Sequence, residues 1–207
     1  MLLMSVIGSG IMAERLAGGN VAVALLANTI ATGAGLFALI VTFGEVSGAH
    51  FNPVVTLVAL IDRATSVRRA VVYLVAQFTG ALVGTALADL MFDLPAFFAS
   101  TKVRTGLSQW LAEFVATFGL VAIIVAATRQ KRSVAIVAAS VAAYIVAAYW
   151  FTSSTSFANP AVTFARSFSD TFAGIRPLDA PAFVVAQVSG GIAAFFVFNW
   201  LMPKEER

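Results

Sequence analysis

The 207-residue chain is 60% hydrophobic and only 11% charged, with a mean hydropathy of +0.92, a composition suited to a lipid bilayer rather than to water. Cysteine is absent, which excludes a disulfide framework, a thiolate metal site and a cysteine nucleophile. The formal net charge of +3 does not point to nucleic acid, because the basic residues fall in loops between apolar runs, where they act as topology signals.

In chain order, the first apolar segment, Met1–Met12, holds about a dozen residues and would reach roughly 18 Å, short of a hydrocarbon core of about 30 Å. It lacks a preceding basic region, so it reads as the remainder of a first membrane helix whose start lies upstream. A signal peptide fits less well, and a short re-entrant segment is the alternative. Five further runs, Val21–Phe43, Ala70–Met91, Leu107–Thr128, Val134–Phe151 and Pro181–Met202, approach or exceed the ~20 residues needed to span. With six spans and a cytoplasmic N-terminus, the cytoplasmic side carries Arg63, Arg68, Arg69, Arg129, Lys131, Arg132, Lys204 and Arg207. The opposite side carries Arg15, Lys102, Arg104, Arg166 and Arg176, so eight against five favours both termini inside.

Between the spans stand two similar loops, GAHFNPVVTL around Asn52-Pro53 and TSFANPAVTF around Asn159-Pro160, 107 residues apart (159 − 52). A second match, Val75–Gly80 against Val185–Gly190, has an offset of 110 (187 − 77). Two matches at nearly one offset indicate a duplicated unit, 1–92 and 107–202, within one domain covering 1–207. Each unit has three spans, an odd number, so the second copy lies inverted in the membrane. After each Asn-Pro pair comes an apolar stretch too short to cross, Val54–Ile61 and Ala161–Phe168. Asparagine is a good N-cap and proline suits the first helical position, so both read as half-helices dipping from opposite faces. Irregular backbone at that depth needs protein or a water-filled cavity around it. Two helix N-termini meeting near the midplane disfavour cations, while the Asn52 and Asn159 amides offer donors to a neutral, oxygen-bearing solute.

The segments SGAHFNPVVT and ANPAVTFARS resemble the paired signature loops of the aquaporin and glycerol-facilitator (major intrinsic protein) family. The resemblance implies an all-α membrane protein, an inverted repeat of six tilted helices plus two re-entrant half-helices, assembled as a homotetramer with a pore per subunit. It also implies residence in a bacterial inner membrane, with Asn52, Pro53, Val54, Asn159, Pro160 and Ala161 at the midplane. Glu113 is similar to the family's buried glutamate that supports a signature loop. Two positions depart from the pattern: Val54 stands where the family has alanine, and Val162 where most members have a filter arginine. Arg166 lies one helical turn further on and is not assigned that role. Alignment by spacing puts the other filter positions at Thr32, Ala147 and Ser156, giving a wide, uncharged wall. Such a wall implies passage of glycerol, urea or neutral hydroxides of arsenic and antimony. Members with valine at position 162 resemble those linked to bacterial arsenic resistance.

The remaining polar residues read more plainly. His50 has no partner ligands for a metal and is expected to pack or cap its loop; Glu45 is expected to be solvated. Gln77 and Gln187 are expected at helix crossings, beside small-residue stripes of Ala76, Gly80 and Gly84 and of Ala186 and Gly190. The serines and threonine at 153–156 have no general base nearby, and no nucleotide-binding loop is present, so no enzyme activity and no cofactor are expected. Other classes that use this architecture are secondary transporters and closed structural proteins; the first usually needs intramembrane ionisable groups near the site, and only Glu113 qualifies. Val162→Arg is expected to reduce glycerol flux while sparing water in vesicle swelling assays; equal loss of both would remove Val162 from the filter.

Overall fold

In a computed structural model of the chain, residues 1–203 are described; Lys204 and Arg207, two of the topology-setting cations, lie outside the described residues. The N-terminal helix runs over residues 2–16, with a π-helical stretch at Met4–Gly8 leading into α1, Ser9–Leu16. It therefore continues four residues beyond the expected Met12, because Ala13–Leu16 is a good helix-forming sequence before the Gly18-Gly19 turn. The other elements are α2 (Val21–Ser47), α3 (Pro53–Ile61), α4 (Val67–Met91), α5 (Leu107–Arg129), α6 (Val134–Phe151), α7 (Pro160–Arg166) and α8 (Ala180–Leu201). Five of these, α2, α4, α5, α6 and α8, are long and apolar enough to cross a membrane.

Local chemistry sets the helix ends. The Asn20 side chain accepts from the N–H groups of Ala22 and Val23 to start α2, and Gly48, at φ +75°, ends it. Ser66 and Ser133 cap α4 and α6 in the same way. α4 begins three residues before its apolar run and α2 ends four after its own, because polar residues at helix ends carry no hydrophobic signal.

Packing follows a two-fold pattern. The N-terminal helix packs on α4 as α5 packs on α8, and α2 meets α6 across the middle. Each half-helix touches the last span of both halves, α3 lying against α4 and α8, α7 against α8 and α4, and the two half-helices touch each other. The arrangement is an inverted repeat, with two short helices held between the long ones.

Glycines permit the closest approaches, though not all those expected. A Cβ on Gly190 would overlap the Phe114 carbonyl, and one on Gly191 would overlap the Val54 side chain, so α8 lies tight against both α5 and α3. Gly80, in contrast, has nothing within 4 Å, and Ala76 is also exposed; the outward side of α4 is not a crossing within the chain. Val54 is fully buried among Val58, Val121 and Ala194, so its two extra methyl groups point behind α3 into the space left by Gly191. Gly191→Ala should destabilise the protein by about 1–3 kcal/mol through overpacking. Val54→Ala in the same chain should recover most of that loss, measured as thermal unfolding in detergent; simple additivity of the two changes would refute the pairing.

Candidate functional site

Both half-helices start as their sequences dictate. Asn52 Oδ1 accepts from Val54 N–H at 2.9 Å, and Asn159 Oδ1 accepts from the N–H groups of Ala161 and Val162 at 3.0 and 3.2 Å. Pro53 and Pro160 occupy the first turn. With each amide oxygen committed to capping, the amide nitrogens turn across the centre: Asn52 Nδ2 donates to the Ala158 carbonyl at 2.7 Å and Asn159 Nδ2 to the Phe51 carbonyl at 2.8 Å. One N–H of each amide is thus engaged by the opposite loop, and the second remains for a solute.

The approach loops share a backbone. Ala49 and Phe51 stand at φ 45° and 46°, and Ser156 and Ala158, 107 positions later (156 − 49; 158 − 51), at 51° and 48°. Non-glycine residues in this left-handed region cost energy and persist only where surroundings hold them. Glu113 is the support for the second loop, its carboxylate accepting from Phe157 N–H at 2.9 Å, Ala158 N–H at 2.8 Å and Gln187 Nε2 at 2.6 Å. Gln187 also donates to Thr163 Oγ1, and Gln77 donates to Thr56 Oγ1, each threonine in turn bonding back to its asparagine carbonyl. The two glutamines therefore brace the half-helices rather than simply filling helix crossings. His50 lies in this frame too, its Nδ1 3.1 Å from Thr56 Oγ1 and its ring edge-on to Tyr73.

A cavity of about 400 Å³ runs past these groups. On α2 it is lined by Thr32, Leu36, Ile40 and Gly44, and on α6 by Val134, Val137, Val141, Ile145 and Tyr149. Steps of three and four residues are one helix face, and the fifteen-residue stretch on α6 (149 − 134) makes the cavity about 22 Å long at 1.5 Å per residue. Its walls are mostly apolar and its waist is Asn52 and Asn159.

Of the expected filter positions, Thr32, Ser156 and Val162 lie on this wall. Ala147 does not: it is exposed on the outside of α6, because it sits two residues, some 200° of helix, from both Ile145 and Tyr149. Tyr149, two residues on, lines the cavity instead, its hydroxyl 3.4 Å from Thr32 Oγ1. A buried tyrosine among the alanines of α6 was the available signal. Val54 and Ala161 are buried behind the half-helix starts and do not line the cavity.

The ends of the cavity are polar. At one, Arg129 pairs with Asp62 at 3.1 Å and donates to Asn199, with Arg132 beside them. At the other, the Arg166 guanidinium lines the wall and lies over the Phe157 ring, 3.3 Å from its centroid. The wall is thus not uncharged throughout. Next to it, Arg104 bonds the carbonyls of Gly174 and Ser154, and Lys102 that of Phe172. Burial pulls the Arg104 guanidinium down to about 10, and burial together with the Arg104 and Arg166 charges pulls Lys102 down to about 8.

A polar waist between two opposed helix starts, inside a mostly apolar passage about 22 Å long, is the arrangement of an integral membrane channel. Residues 1–156 match the family model "Major intrinsic protein". The chain belongs to the major intrinsic protein family, the aquaporins and glycerol facilitators; it is a channel for water and small neutral solutes and not an enzyme. It is 54% identical over 202 residues to aquaglyceroporin AqpS of Rhizobium meliloti (strain 1021), covering 98% of this chain and 85% of that protein. It is 30% identical over 179 residues to aquaporin-1 of Sus scrofa (84% and 66% covered) and 37% identical over 109 residues to aquaporin-2 of Homo sapiens (50% and 40%).

Glu113→Ala would leave three donors without an acceptor and is expected to cost on the order of 3 kcal/mol or more. It should lower the detergent melting temperature and abolish flux together, whereas Gln187→Ala, which removes one donor, should cost less; a flux loss with unchanged melting would contradict this supporting role.

Proposed function

We propose that the chain is a passive, broad facilitator, carrying polyols such as glycerol, urea and neutral metalloid hydroxides, arsenous acid among them, as well as water. The observation that carries this reading is the crossed Asn52 and Asn159 amides at the waist of a single long cavity. Each has one N–H to spare for a solute oxygen, and apolar walls run on either side. The two half-helix N-termini meeting there oppose cations. Thr32, Ser156 and Val162 form the filter with Tyr149 in place of Ala147; a valine rather than an arginine directly after Ala161 supports solutes larger than water. The printed name of the similar Rhizobium meliloti protein, an aquaglyceroporin, points the same way.

Repeats 1–92 and 107–202 form the one channel domain, 1–207. Four such chains assemble as a homotetramer in a bacterial inner membrane with both termini cytoplasmic. The tetramer is supported by the family resemblance and by outward-facing Ala76 and Gly80, which allow a neighbouring helix to come close. The eight-to-five distribution of Lys and Arg supports the orientation.

Stopped-flow light scattering on proteoliposomes, with water, glycerol, urea and arsenous acid as separate solutes, tests the reading. Glycerol and urea fluxes above the empty-vesicle rate are expected, with arsenous acid entering down its gradient; permeation by water alone would exclude a broad facilitator.

A further inference from the structure

We infer that Arg166 is the specificity-determining residue at its end of the pathway, supplying the hydrogen-bond donors and the positive charge that position 162 lacks. This rests on the channel reading and adds to it the group that discriminates among solutes. Asn159, Val162 and Arg166 follow each other at three and four residues and all line the cavity, so one face of α7 leads from the waist past an apolar side chain to a guanidinium. No residue of 92–106 or 167–179 lines the cavity, which leaves Arg166 as the charged lining residue at this end.

The guanidinium is built in but not saturated. The residue is 2% exposed, and Phe157 covers one face of its planar group. Its Nε donates to the Ala173 carbonyl, while Nη1, also buried, makes no hydrogen bond within the protein. A guanidinium carries five N–H donors, and only the one at Nε has an acceptor within the protein. Ser156 Oγ, on the same wall, also lacks a partner. Among the described residues, no carboxylate bonds the Arg166 or Arg104 guanidinium, whose bonds all go to backbone carbonyls, while the Arg104 backbone N–H donates to Asp179. The charge there is therefore not cancelled by contact, and it repels cations while favouring small solutes with several oxygen atoms. Cation exclusion is shared between this end and the waist, and the turn of helix between Arg166 and Asn159 stays wide because valine occupies it.

The test compares wild type, Arg166→Lys, Arg166→Met and the swap Val162→Arg/Arg166→Val in proteoliposomes. It measures the glycerol-to-water and urea-to-water flux ratios, and proton leak under a potassium diffusion potential with an internal pH dye. Arg166→Met is expected to change the flux ratios by about threefold or more and to raise proton leak by about tenfold, the scale of one lost charged donor. Arg166→Lys should keep protons out but alter the ratios, since an ammonium lacks the planar fork. The swap should restore proton exclusion while suppressing glycerol. Neither ratios nor leak would move in these ways if Arg166 only tied down the Ala173 loop. Wild-type ratios and leak in Arg166→Met overturn the inference. If that variant does not reconstitute as folded protein, unchanged ratios in Arg166→Lys, or a leaky swap, overturn it instead. Absence of solute flux in wild type would defeat the channel reading, whereas wild-type flux with insensitive variants defeats only the role of Arg166.

Discussion

A helix that stops halfway across a bilayer leaves backbone N–H and C=O groups where no bulk water can reach them, and each unsatisfied group costs several kcal/mol. Much of this fold follows from meeting that requirement twice at one place. The starts of α3 and α7 satisfy each other: each asparagine caps its own helix with oxygen and reaches with nitrogen to the carbonyl of the opposite loop. The left-handed residues that aim those carbonyls inward are held by a second layer, in which Glu113 and Gln187 serve one loop and His50, Gln77 and Thr56 serve the other. The long helices then close around this unit, with Gly191 yielding the space that Val54 needs.

The two supports differ in strength. The second loop rests on a carboxylate accepting three bonds, two of them from backbone, while the described bonds around the first loop come from neutral side chains. Charge-assisted bonds are the stronger kind. The stronger support stands under the loop that carries Ser156 and leads to Val162 and Arg166, the filter proposed above.

Much of this was legible in the sequence because it rests on local chemistry. Asn-Pro before a short apolar run, repeated at one offset, points to capped helix starts, apolar run length points to spans, and the offset of 107 between like loops points to the pairing. The role of Glu113 came with the resemblance to the family, whose buried glutamate supports a signature loop. What was not legible depends on rotation and on side-chain reach. Ala147 and Tyr149 are separated by two residues, and on α6, which is apolar all round, no amphipathic pattern reveals which faces the cavity. Arg166 was set aside because its position is a turn away from the expected one; only the stacking on Phe157 and the bond to Ala173 show where a long side chain ends. Gln77 and Gln187 looked like packing residues because hydrogen-bond partners on half-helices 20 to 25 residues away in sequence leave no local trace.

The crossed amides at the centre have a consequence for how matter can move through the protein at all. Alternating-access carriers work by rocking one half of the molecule against the other about the substrate. Here the two halves are stitched together at that very point, by bonds of 2.7 and 2.8 Å running in opposite directions across the axis. Rocking would have to break both stitches, and expose the broken helix ends, in every cycle. The waist is therefore a fixed aperture common to both sides of the membrane, and transit needs only that one set of solute contacts be exchanged for the next.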